Sequence, residues 1–136
     1  MILVETANRS GTVVDELAAE ELARAVLATE GVHDGELGIA FVDADEMRAL
    51  KNVHLGIDEA TDVLSFPLDG RDEVPKGVPR ALGDVVLCPQ VVGEEWRWPL
   101  THGLLHLLGY DHGEQMEQRE AALLGRLAPS ASEREA

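Results

Sequence analysis

The sequence predicts an α+β or α/β sandwich, with helices packed around a small mixed sheet. Three observations carry that prediction. Short runs with strand-like alternation are interleaved with longer stretches whose apolar residues recur at helical spacing. Residues that cap helices or stop strands stand at the boundaries between them. The 136 residues, 45% of them apolar and without internal repeat or linker, suffice for one core of ordinary size.

After the apolar start Ile2, Leu3 and Val4, the stretch from Thr12 to Gly31 reads as an amphipathic helix. Thr12 and Asp15 form a capping-box-like start, and Gly31 supplies the stop. Val13, Val14, Leu17, Leu22, Ala25 and Val26 make its predicted apolar stripe. "ELGIAFVD" alternates Leu37, Ile39 and Phe41 with smaller residues, as a strand with one strongly apolar face does. Asp43 is placed to cap a second helix carrying Met47, Leu50 and Val53 and ending at Gly56. "TDVLSFP" is a strand closed by Pro67, and Leu68 to Arg80, rich in Gly, Pro and charge, reads as a mobile surface loop. "LGDVVLCP" is a buried strand ending at Pro89. A short helical stretch with Trp96 and Trp98 leads to Pro99, which suits the opening of the next helix. Met116, Leu123, Leu124 and Leu127 mark a last amphipathic helix. Residues 1–127 are expected to form one domain and 128–136 a disordered tail.

Composition narrows the function. No apolar run approaches the length of a membrane span, and the N-terminus lacks the basic and apolar regions of a secretory signal. Cys88 is the only cysteine, which excludes an intramolecular disulfide framework and suits a reducing cytosol, so a cytoplasmic protein is expected. Twenty-six acidic against eleven basic residues give a formal charge of −15, a balance that favours solubility and repels polyanions at long range. Broad, non-specific nucleic-acid binding is thereby disfavoured.

The stretch "THGLLHLLGYDH" concentrates three of the five histidines, His102, His106 and His112, as H-x-x-x-H-x-x-G-x-x-H. One histidine beside leucines is ordinarily a packed residue. Here the spacing says more. Residues four apart share a helix face, so His102 and His106 present two imidazoles to one point. Gly109 follows where a left-handed residue stops a helix, and the chain can return His112 as a third ligand. Three protein ligands leave a position open for water, the mark of a catalytic zinc site. The spacing is that of metzincin zinc proteases, but the glutamate those enzymes carry after the first histidine is Gly103 here. An amine leaves only when protonated, so Gly103 weighs against proteolysis. Asp111, Asp84 and Asp62 are candidate proton-transfer residues, with Asp62 read chiefly as a local cap. Asp111 is also placed to orient a ligand imidazole, and Cys88 reads as a small buried residue rather than a fourth ligand. His33 and His54 read as surface residues.

"HGLLHLLGYDH" resembles the signature block of the YbeY family, bacterial metal-dependent endoribonucleases of 16S rRNA maturation and ribosome quality control. "TDVLSFP", "LGDVVLCP" and "ELGIAFVDADEMRALKN" are similar to three further blocks of that family. The resemblance implies a four-stranded sheet and one zinc ion held by His102, His106 and His112. It implies a single-strand-specific endoribonuclease, for which a zinc-activated water would be the nucleophile. Asp111 and Asp84 stay the candidate catalytic residues read from the chain itself. The implied partners are single-stranded RNA, rRNA above all, and small-subunit ribosomal proteins or assembly factors, with no DNA and no membrane. Two departures stand out: His54 and Leu55 occupy the places of the family's Tyr-Arg pair, and the spacer before "HGLLH" is short, so the helix preceding the metal helix is expected to be abbreviated. Lys76, Arg80, Arg97 and Arg119 are the basic residues available for RNA, and intrinsic affinity is expected to be weak. Two other readings remain open, a non-catalytic, metal-stabilised ribosome assembly factor and a zinc peptidase with an unusual base.

Overall fold

The computed structural model describes residues 1–110 and 113–127, and only the backbone of 124–127. The elements run β1 (Ile2–Asn8), α1 (Glu16–Thr29), β2 (Gly35–Phe41), α2 (Ala44–Leu55), β3 (Val63–Pro67), β4 (Ala81–Leu87), α3 (Pro89–Val92), α4 (Arg97–Leu107) and α5 (Glu114–Leu127). The strands form one four-stranded sheet in the order β1-β2-β4-β3. β1, β2 and β4 are parallel, and β3 pairs antiparallel with β4. This is the mixed sheet of an α+β fold, as the sequence predicts.

Alternation along the strands divides the apolar residues between two faces. Leu37, Ile39 and Phe41 of β2, with Val85 and Leu87 of β4, enter the main core beside α1, α4 and α5. Val86 of β4 and Leu64 of β3 join a smaller core with Met47 of α2 and Cys88. Cys88 is a fully buried free thiol, as read from its place at a strand end.

Capping explains where the helices begin and end. Asp15 accepts a hydrogen bond from the Ala18 amide at 2.9 Å, and Asp43 from the Glu46 amide at 2.7 Å. The α1 stripe differs from expectation. The helix begins at Glu16, so Val13 precedes it and is 97% exposed, while Leu17 lies off the packed face. Ala19, Leu22, Ala23, Val26 and Leu27 form the buried stripe instead. In α2 only Met47 is fully buried, and Val53 faces solvent. α3 is a single turn of four residues, so the helix before α4 is abbreviated as expected. It carries neither tryptophan: Trp96 is the N-cap of α4 and Trp98 lies inside it, so α4 opens at Arg97 and not at Pro99. Residues 68–80 hold no helix or strand. Their ends are nonetheless pinned: Arg80 Nη1 donates to the Gly70 and Asp72 carbonyls at 2.7 and 2.6 Å, and the Asp69 amide donates to the Ala81 carbonyl at 2.7 Å. No described helix is long and apolar enough to cross a membrane. The expected tail, 128–136, lies outside the described residues.

Candidate metal centre

α4 turns one face to the sheet and another to a cleft. Pro99, Leu100, Gly103, Leu104, Leu105 and Leu107 are buried against β3, β4, α1 and α5. Trp98, His102 and His106 recur at four-residue spacing and line a cleft of about 700 Å³. Across the cleft stand Leu55 and Lys51 of α2 and the start of β3. A larger cavity, about 910 Å³, opens by Met1, His33 and Arg80, but the Arg80 guanidinium is engaged on backbone carbonyls there. The smaller cleft is the one that holds the histidine pair.

The histidine geometry suits a metal. His102 Nε2 and His106 Nε2 are 3.2 Å apart, with ring centroids at 4.7 Å and planes inclined by 79°. A tetrahedral zinc with Zn–N distances of about 2.0–2.1 Å sets two ligand nitrogens about 3.3–3.4 Å apart. The pair therefore fits two corners of such a site. His102 Nδ1 is hydrogen-bonded to Glu120 Oε1 of α5, whose side chain is 4% exposed. α4 stops where the sequence places the stop. The Gly109 amide donates to the His106 carbonyl at 3.0 Å and the Tyr110 amide to the Leu105 carbonyl at 3.1 Å, a Schellman motif with Gly109 at φ 97°. His112 and Asp111, the expected third ligand and proton-transfer residue, lie outside the described residues.

Gly103 has a structural reason of its own. A Cβ there would lie 2.8 Å from Val85 Cγ1 and 3.2 Å from Val63 Cγ2, and Ser65 Oγ donates to the Gly103 carbonyl at 3.2 Å. This position faces the sheet, not the cleft. Its missing side chain lets α4 approach β3 and β4 closely.

Of the other sequence candidates among the described residues, Asp62 lines the histidine cleft and Asp84 does not. Asp84 projects from the opposite sheet face, where its carboxylate lies over Gly38, so the fold does not bring it to the histidines. Asp62 accepts from the Val63 amide at 2.8 Å, the local cap expected of it. His33 and His54 are exposed, His54 against the Phe66 ring. Among the basic residues, Lys76 is exposed on the loop and Arg97 lies over the Trp96 ring at 4.4 Å. Arg119 is bound to Glu30. Lys51, paired with Glu59 at 3.1 Å, is the one lysine or arginine among the described residues lining the histidine cleft.

Two carboxylates matter that sequence reasoning missed. Glu120 sits between Met116 and Leu123 on the buried face of α5, and a charge inside an apolar stripe was the signal for it. Glu30, the C-cap of α1, accepts from Tyr110 Oη at 2.7 Å and from Arg119 Nε at 3.1 Å, with Arg71 Nη2 at 3.4 Å. Burial pushes the Glu30 carboxyl up, but the hydrogen bonds from Tyr110 and Arg119 and the charges of Arg119 and Arg71 outweigh it and hold it below the ordinary range. Its hydrogen bond to Glu30 in turn raises the Tyr110 phenol.

With this geometry in place, known proteins supply the family. The family model described as Endoribonuclease YbeY matches residues 5–127. The protein named Endoribonuclease YbeY of Beutenbergia cavernae is 46% identical over 132 residues, covering 85% of this chain and 87% of that protein. Its namesakes in Acidothermus cellulolyticus and Salinispora tropica are 44% and 40% identical, covering 86% and 93% of this chain and 83% and 94% of their own. The solution structure of TM1509 from Thermotoga maritima shares the fold, with TM-score 0.58 and 23% identity over 98% of this chain and 95% of that one. The chain belongs to the YbeY family.

Proposed function

We propose that this chain is a zinc-dependent endoribonuclease that cuts single-stranded RNA, acting in 16S rRNA 3′-end maturation and ribosome quality control. The observation that carries the proposal is the His102–His106 pair, its Nε2 atoms 3.2 Å apart on the wall of an open cleft, in a chain of this family. His102 and His106, with His112, would hold one zinc ion. When bound, zinc supplies Lewis acidity and a water whose pKa is drawn down toward about 7. The chain itself does the rest. Glu120 holds the His102 ring, Trp98 offers an exposed aromatic face to an unstacked base, and Lys51, which would exchange Glu59 for a phosphate, lines the same cleft. Asp111 is the candidate for proton transfer. Asp84, committed to the far face of the sheet, could serve only through contacts there.

With net charge −15 and one lysine at the cleft, long-range attraction does not bring RNA to the site. That favours delivery by small-subunit ribosomal proteins or assembly factors. One observation supports the non-catalytic alternative: Leu55, at the place of the family's arginine, lines this cleft and is 58% exposed. Zinc-loaded protein and a His102→Ala/His106→Ala double variant, each incubated with labelled single-stranded RNA and with casein, separate the readings. RNA cleavage by the wild type, lost in the variant, is the expected result. Casein cleavage would point to a peptidase, and ribosome association without turnover to an assembly factor.

A further inference from the structure

Glu120 is a carboxylate in the wrong company. It stands four residues after Met116 and three before Leu123, and all three side chains are buried on one face of α5. An apolar residue of similar size would fill that stripe without the cost of burying a charge, and exchanges of that kind are often neutral or stabilising. Packing does not account for a carboxylate here; its contact does. Glu120 Oε1 meets His102 Nδ1, and the other nitrogen of that ring, Nε2, points at His106 Nε2.

With Glu120 Oε1 as the acceptor of this contact, its hydrogen lies on Nδ1. A neutral imidazole with Nδ1–H has its lone pair on Nε2. We infer that Glu120 is the positioning residue of the site: it fixes His102 in the Nδ1–H tautomer and aims the Nε2 lone pair at the point shared with His106. The inference rests, for its purpose, on the proposed metal site. Carboxylates that orient a ligand histidine in this way ordinarily strengthen metal binding 10- to 100-fold, roughly. Arg119, the preceding residue, is anchored on Glu30, so the turn of α5 that presents Glu120 is held from its other side as well.

The test compares wild type with Glu120→Met, which completes the apolar stripe, and Glu120→Gln, which keeps the volume and one acceptor oxygen. Two quantities are read: the ring nitrogen shifts of His102 in metal-free protein by NMR, and zinc affinity against a chromophoric chelator. In wild type, His102 is expected to show a protonated Nδ1 and a bare Nε2. Glu120→Met should lose that preference and bind zinc about 10- to 100-fold more weakly, with metal-free thermal stability retained. Glu120→Gln should fall between, and it decides the matter alone if Glu120→Met does not fold. Wild-type His102 protonated on Nε2, or variants matching wild type in both tautomer and affinity, would overturn the inference. A wild type that binds no zinc would instead overturn the proposed function, and the metal-free spectra would still decide the role of Glu120.

Discussion

Tyr110 donates its hydroxyl to Glu30 across 80 residues of sequence, at 2.7 Å. The bond ties the residue just past the α4 stop to the end of α1, and Arg119 brings α5 to the same carboxylate. Because its neighbours depress Glu30, the folded state holds the ionised form more tightly than the unfolded chain, where glutamate titrates near about 4.3. The contribution is therefore complete above that pH and lost as pH falls through the lower, folded value. Tyr110 acts at the other end: its raised phenol stabilises the fold up to about pH 10 and loses that effect as pH climbs further. Glu30→Gln should cost about 1–3 kcal/mol at pH 7, with the gap to wild type closing below pH of about 4. Urea denaturation across pH reads this directly, and parallel acid limbs for the two proteins would refute it.

Gly103→Ala should destabilise the protein even though alanine is the better helix former by about 1 kcal/mol. The new methyl meets Val85 Cγ1 at 2.8 Å in a buried, β-branched environment. Overpacking of that kind costs about 1–3 kcal/mol, so a net loss of about 1 kcal/mol is expected. Thermal melts decide it; a melting point above wild type would mean that α4 can lift off the sheet freely.

Trp98, 43% exposed beside the histidines, should carry much of the affinity for a short single strand. Base stacking on an aromatic side chain is worth about 1–3 kcal/mol per base, so Trp98→Ala should weaken binding roughly 5- to 150-fold. Trp98→Phe should retain most of it. Anisotropy titrations in chelator, where no cutting interferes, supply the numbers, and an unchanged dissociation constant for the alanine variant would remove the stacking role.

Few cations stand at the cleft, so counterion release should contribute little to the salt dependence of RNA binding. Each phosphate contacted by a cation adds about 0.7 to the log–log salt slope of single-strand binding. With Arg80 and Arg119 engaged within the fold and Lys51 alone at the cleft among the described residues, a slope of magnitude about 1 or less is expected. A slope several times steeper would reveal a cationic surface made by other residues.

Much of the fold was legible because its signals are local. Asp43, Gly109 and the alternation of Leu37, Ile39 and Phe41 act within a few residues, and each does in the structure what its chemistry requires. The α1 stripe was misjudged at Val13 and Leu17 because an apolar residue next to a helix looks like one on its packed face until the cap at Asp15 fixes the phase. The His102–His106 pair was legible through helical spacing alone. Glu120 and Glu30 were not, since their partners lie 18 and 41 to 89 residues away and depend on how distant segments dock. Asp84 was a candidate as a carboxylate near a strand start, and alternation turns it to the sheet face opposite the histidines.

The closeness of α4 to the sheet has a bearing on how such a site can change its chemistry. Glycine and glutamate are neighbours in mutational space, so the protease version of this histidine pattern looks one replacement away. With Val85, Val63 and Ser65 crowding position 103, the first carbon of that replacement already collides. Trading one reaction for the other would require β3 and β4 to accept a more distant helix first. In this chain the spacing of α4 from β3 and β4, and not only the residue type at 103, keeps a larger side chain out of that place.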